Sequence, residues 1–132
     1  MNSAKYMRGD TLVSTAGGGD LSPLVGTWTN TDTDTNHFMK VITSLAPDGA
    51  FSVRMFGVDD DALIDWGEAD GTPFVTSATL QGVGFHARYD FGDAETLIAA
   101  NQSKGVLVIQ AYTMFKDGSG RPNYFSREFF HQ

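Results

Sequence analysis

The chain has 132 residues, 41% of them hydrophobic, which is enough for one domain with a sizeable core. Nine Lys and Arg stand against 16 Asp and Glu, giving a net charge of −7 and a pI near 4.6, so the clustered positive charge that nucleic acid or an anionic membrane requires is missing. There is no cysteine, which excludes disulfides, thiolate metal sites and a cysteine nucleophile.

The first twenty residues are small and polar and end in Gly17-Gly18-Gly19-Asp20. Residues 1–20 are expected to form a flexible leader, and residues 21–132 a single β-barrel domain. Lys5 and Arg8 are not followed by an apolar run, so no secretory signal is read. No window reaches the length of a membrane-spanning helix. The expected location is the cytoplasm.

Leu21-Ser22-Pro23-Leu24 reads as a turn or a single helical turn over one end of the fold. Val25–Asn30 is the first strand and holds Trp28, one of 2 tryptophans. A polar loop, Asn30–Asn36, leads to strands at His37–Ala46 and Ala50–Gly57, joined by the turn Pro47-Asp48-Gly49. Val58–Ala62, with three consecutive Asp residues, is expected to be a loop. Leu63–Ala69 and Phe74–Leu80 are expected as separate strands, because Asp70-Gly71 and Pro73 interrupt them. In the next strand Val83, Phe85, Ala87, Tyr89 and Phe91 alternate with Gly84, His86, Arg88 and Asp90, a period of two. Strands at Glu95–Asn101, Val106–Phe115 and Asn123–His131 follow, linked by short connections rich in Gly, Asp, Asn and Ser.

Eight or nine antiparallel strands in succession must hide their edges, and an up-and-down barrel does so completely. A β-sandwich is the alternative. About eight strands leave an interior that holds either packed side chains or one small ligand.

Gly26-Thr27-Trp28 on the first strand, with Arg127 on the last, resembles the calycin superfamily of lipocalins, avidins and fatty-acid-binding proteins. The resemblance implies that Trp28 packs at the closed end and that Arg127 lies across it, closing the first strand onto the last. It covers the two ends of the barrel and the order between them. The chain has no lipocalin cysteines and lacks the later tryptophans of a biotin pocket. Asp65-Trp66-Gly67-Glu68 and Asp117-Gly118-Ser119-Gly120-Arg121 also resemble small bacterial barrel domains.

Several residues are candidates for chemistry. If Leu63–Ala69 is a regular strand, Trp66 and Glu68 share a face. A carboxyl beside an indole loses hydration and can serve as a general acid. His86, Arg88 and Asp90 share the face opposite Phe85 and Tyr89. They face water if that apolar face is the core, and line the lumen otherwise. Gln110, Tyr112 and Met114 alternate with residues that are also mainly apolar. Tyr124–Phe130 is apolar on both faces as well, a pattern expected of a covered strand or a homodimer contact. Asp32 and Asp34 lack the Gly and Glu of a calcium loop, and His37, His86 and His131 lack metal-ligand spacing, so no metal is expected.

Three functions are compatible with these features. The first is a binding barrel that holds a small apolar or amphipathic molecule with no cofactor. Trp66, Tyr89, Phe85 and Met114 would provide its lining, and Arg54 and Tyr112 polar contacts. The second is a cofactor-independent cyclase or isomerase acting on a natural-product-like substrate, with Glu68 and His86 as acid–base groups. The resemblance makes it reasonable, since small bacterial calycin-like barrels include cyclases. The third is a structural or oligomerising barrel with a packed core.

Overall fold

The computed structural model of the protein describes residues 19–132. Eight strands run in chain order: β1 (Gly26–Asn30), β2 (Phe38–Leu45), β3 (Phe51–Asp59), β4 (Ala62–Val75), β5 (Gly82–Asp90), β6 (Ala94–Ser103), β7 (Val106–Phe115) and β8 (Tyr124–His131). Each pairs antiparallel with the next. β1 then pairs with β8 through Thr29↔His131 and Asn30↔Phe130, closing the barrel. Among the described residues no helix is long and apolar enough to cross a membrane.

Alternation decides which residues fill the barrel. Phe85, Ala87 and Tyr89 of β5 point inward, as do Thr96, Ile98 and Ala100 of β6 and Leu107, Ile109 and Ala111 of β7. Trp28, Val41, Val53, Met55 and Phe130 complete a tightly filled interior. At the closed end the 3-10 turn Ser22–Leu24 lays Leu24 against Gly82, where a Cβ would meet the Leu24 side chain at 3.0 Å. Trp28 is 1% exposed, and its indole N–H donates to the Leu24 carbonyl at 3.3 Å. The Thr43 hydroxyl accepts from the Gly26 amide at 3.0 Å, and the Gln132 amide donates to the Val25 carbonyl at 2.9 Å. These bonds tie both chain-terminal strands to the same cap.

Four sequence expectations are corrected. The leader lies outside the described residues apart from Gly19 and Asp20, and Asp20 belongs to the fold. Its amide donates to Leu80 at 2.9 Å and its carbonyl accepts from Gly82 at 2.7 Å. Asp70-Gly71 and Pro73 do not break the chain, because β4 runs unbroken for 14 residues. Gly71 is there for space: it pairs with both Phe51 and Ala87, and a Cβ would meet the Phe51 ring at 2.7 Å. The β3 pairing of β4 ends at Gly71, so Pro73 interrupts no ladder on that side. Thr76–Leu80 is a turn in which the Leu80 amide donates to Thr76 at 2.9 Å, so the strand expected over Phe74–Leu80 ends at Val75.

The fourth correction concerns barrel closure. Arg127 does not cover Trp28. Ser126 and Phe130 take the inward positions of β8, which turns Arg127 outward, and its guanidinium sits over Phe129 at 4.9 Å. Strand pairing and the Leu24 cap close the fold instead.

Candidate functional site

The end opposite the Leu24 cap is open. It is framed by the loop before β2, the β3–β4 hairpin, the β5–β6 turn and the loop before β8. A cavity of about 220 Å³ lies there, bordered by Phe38, Ile64, Trp66, Thr113, Tyr124 and Ser126, with Asn36 and His37 at its lip.

Trp66 is the centre of one wall. Its ring meets Phe38 at 4.7 Å, Tyr89 at 5.3 Å and Phe91 at 5.2 Å, each edge to face. Such pairs fix ring orientation as well as burying area. Tyr124 stacks with His37 at 6.1 Å on another part of the rim. Phe91, placed on the core face by alternation, is exposed at the mouth.

A β-bulge sets the direction of Trp66. Arg54 pairs with Glu68 and Phe56 with Asp65, so Met55 alone stands opposite Trp66 and Gly67. Gly67 has φ +85°, a conformation that favours glycine, and its amide donates to Asp65 Oδ1 at 2.8 Å. The Tyr89 hydroxyl fills the gap from inside, donating to the Gly67 carbonyl at 2.7 Å and accepting from the Met55 amide at 3.1 Å. Burial pushes its pKa above the ordinary value.

The bulge separates Trp66 from Glu68. Trp66 points in, whereas Glu68 is exposed and lies across the strand from exposed Arg54. Arg54 Nε donates to Asp65 at 3.0 Å, and this guanidinium holds the Asp65 carboxyl at a pKa of about 2. His86 is outside too, its ring 5.1 Å from Phe74. Tyr112 and Met114 are exposed on the outer face of β7. Of the residues selected from sequence, Trp66, Tyr89 and Phe85 are inside, with only Trp66 on the cavity wall. Arg54, Glu68, His86, Tyr112 and Met114 are outside. The shared face of Trp66 and Glu68 is therefore corrected, and the polar triplet of β5 faces water.

The second apolar face of β7 and β8 is also outside. Leu97, Tyr112 and Phe125 stand in one row across three strands, with the Tyr112 and Phe125 rings 5.1 Å apart. This is the face on which the homodimer expectation rests.

One residue not selected from sequence, Ser126, borders the cavity, and a second, Glu128, is half-buried on the same strand without lining it. Ser126 is 8% exposed, borders the space, and its hydroxyl has no hydrogen-bond partner among the described residues. Glu128 is the next inward position on β8. Its carboxylate accepts from the Thr35 hydroxyl and, at 3.4 Å, from the Phe38 amide. The alternation of Ser126, Glu128 and Phe130 against Phe125, Arg127 and Phe129 could have found them, once Arg127 was set outward. No Lys or Arg borders the cavity. Among the described residues no group of three or more His, Asp or Glu is placed to hold a metal ion.

No protein-family model, curated protein or solved structure matches this chain.

Proposed function

We propose that this protein is a calycin-like small-molecule-binding barrel that seats a compact, largely apolar ligand at its open end. The observation behind this reading is the aromatic-walled cavity of about 220 Å³ above a filled core. Typical drug-sized sites span roughly 300–1,000 Å³, so the ligand is a small ring compound rather than a long chain. The calycin element is supported by Gly26-Thr27-Trp28 at the closed end and by the up-and-down strand order. Glu68 and His86 give the cyclase alternative no support, because both lie on the outer surface, away from the cavity.

Native mass spectrometry of protein purified from its own host tests the reading. The expected result is a co-purifying small molecule that is released on denaturation, and whose occupancy falls in Trp66→Ala. A wild-type protein that arrives empty and also retains nothing from a broad screen of small ring compounds overturns it.

A further inference from the structure

Resting on the binding reading above, the polar groups of the cavity wall narrow the ligand class. We infer that the cavity takes an uncharged flat ring carrying an acceptor oxygen, a ketone or a hydroxyl, that hydrogen-bonds to Ser126, and that it rejects the corresponding acids and amines.

The space itself follows from short side chains. Ala111 of β7 and Ser126 of β8 pair across the sheet at inward positions, and both border the cavity. They leave this layer of the barrel unfilled between the larger rings of Trp66 and Phe38. A cavity of about 150 Å³ is enough for benzene. The space of about 220 Å³ therefore admits one such ring with a short substituent.

The Ser126 hydroxyl points to what that substituent is. Ser126 is 8% exposed, and its hydroxyl has no partner among the described residues. A buried polar group ordinarily has one, and a ligand oxygen supplies it here. Thr113 also borders the space, but its hydroxyl is already bonded to Thr96 at 2.9 Å. The Trp66 indole N–H adds a second donor. It is unpartnered among the described residues, whereas that of Trp28 is bonded to Leu24. Gly57 lies against the Trp66 nitrogen, where a Cβ would stand 3.0 Å from it. Gly57 borders the same space and, having no side chain, leaves that nitrogen uncovered. Both free groups can donate, and an indole N–H can only donate, so the wall calls for an acceptor. No Asp, Glu, Lys or Arg borders the space. An ammonium, itself only a donor, would find no carboxylate there, and a carboxylate no cation. Either ion would give up water without a counter-charge, which costs far more than moving a neutral oxygen.

The test uses four probes built on one ring: acetophenone, ethylbenzene, benzoate and α-phenylethylamine. Each is titrated into the full chain near neutral pH, where the acid and the amine are charged. The two indole N–H signals in a proton–nitrogen NMR spectrum report binding. The Trp66 signal should move and the Trp28 signal should stay, because only Trp66 borders the cavity. Acetophenone is expected to bind about tenfold more tightly than benzoate or α-phenylethylamine. In Ser126→Ala, acetophenone should weaken about tenfold and ethylbenzene should not weaken, since only the ketone loses a hydrogen bond. A thermal melt checks the variant, and if it fails to fold, the ranking of the probes in wild type decides. Benzoate or α-phenylethylamine binding as tightly as acetophenone overturns the inference. So does a loss in Ser126→Ala that is equal for acetophenone and ethylbenzene, or absent for both. In each of these cases binding at Trp66 leaves the binding reading standing. Binding of none of the four, with a native melt, also overturns the inference, while a ligand released in native mass spectrometry would still uphold the binding reading.

Discussion

The hydroxyl of Tyr89 donates to the carbonyl of Gly67 at 2.7 Å, joining a β5 side chain to the bulge in β4 from within the barrel. The same oxygen accepts from the Met55 amide at 3.1 Å, which the bulge would otherwise leave without a ladder partner. This contact keeps Gly67 in its positive-φ conformation, and through it keeps Trp66 turned to the cavity.

Tyr89→Phe removes the hydroxyl and leaves the buried Met55 amide and the part-buried Gly67 carbonyl without this partner. The expected cost is about 1–3 kcal/mol, because an orphaned buried polar group loses its partner without regaining water. Urea unfolding should show a lower midpoint with an unchanged slope. An unchanged midpoint would mean that water satisfies the bulge and that Tyr89 is only packing.

The same side chain has a pH signature. Its folded pKa is raised above 10.0, mainly by burial. A group with a raised folded pKa contributes stability that is full below the unfolded value and is lost as pH rises through the folded one. Wild type should therefore lose stability as pH climbs above about 10, and the gap between wild type and Tyr89→Phe should narrow there. Parallel stability curves for the two proteins across that range would contradict this.

Gly67→Ala probes the bulge from the backbone side. Nothing lies within 4 Å of the added Cβ, so its cost is conformational. At φ +85° an alanine should destabilise by about 1–2 kcal/mol. Two outcomes of chemical denaturation inform the assignment. A loss of that size supports a bulge fixed in place, and no loss means that β4 has re-registered.

How far the sequence exposes this architecture depends on the range of the interaction. Alternation in Val83–Phe91 is local and sets apolar against polar residues, so the inward face of β5 can be read directly from residue order. Val106–Phe115, in contrast, is apolar on both faces, and Tyr112 and Met114, expected at the ligand, are exposed. β4 resists because one extra residue at Gly67 reverses every later side chain, and a glycine there looks the same as one in a turn. Gly71 and Pro73 read as breakers because their actual neighbours, Phe51 and Phe85, come from other strands. Glu128 is hidden for a similar reason. Its partner Thr35 is 93 residues away, in a loop whose own composition indicates only solvent. Arg127 was paired with Trp28 by resemblance, whereas the parity of β8, anchored by buried Phe130, sends it outward.

The Arg54–Asp65 pair on the outer face offers a local check on the β3–β4 register. Hydrogen bonding to Arg54 leads the causes that lower the Asp65 carboxyl from 3.8 to about 2. With a depressed folded pKa, its contribution is present above the unfolded value and fades as pH falls from 3.8 through about 2. Both groups are exposed, so the effect on overall stability should be small. The titration itself is the sensitive readout. Carboxyl-detected NMR should find Asp65 titrating near 2 in wild type and closer to 3.8 in Arg54→Gln. An Asp65 that titrates normally in wild type would place the two side chains apart and reject the register.

The two tryptophans give a last test, because the fold puts them in opposite surroundings. Trp28 is sealed beneath Leu24, whereas Trp66 is half-buried beside the cavity. Acrylamide should therefore quench Trp66 and scarcely reach Trp28. Trp66→Phe should leave a weakly quenched, blue-shifted emission, and the fold should survive because a ring still fills the wall. Trp28→Ala, by contrast, should cost about 3–5 kcal/mol, since it empties a fully enclosed site. A ligand at the mouth would cover Trp66 and lower its quenching constant, and Trp66→Phe should abolish that protection. If a bound ring compound leaves quenching of wild type unchanged, it sits elsewhere, and the outer row of Leu97, Tyr112 and Phe125 becomes the next surface to probe.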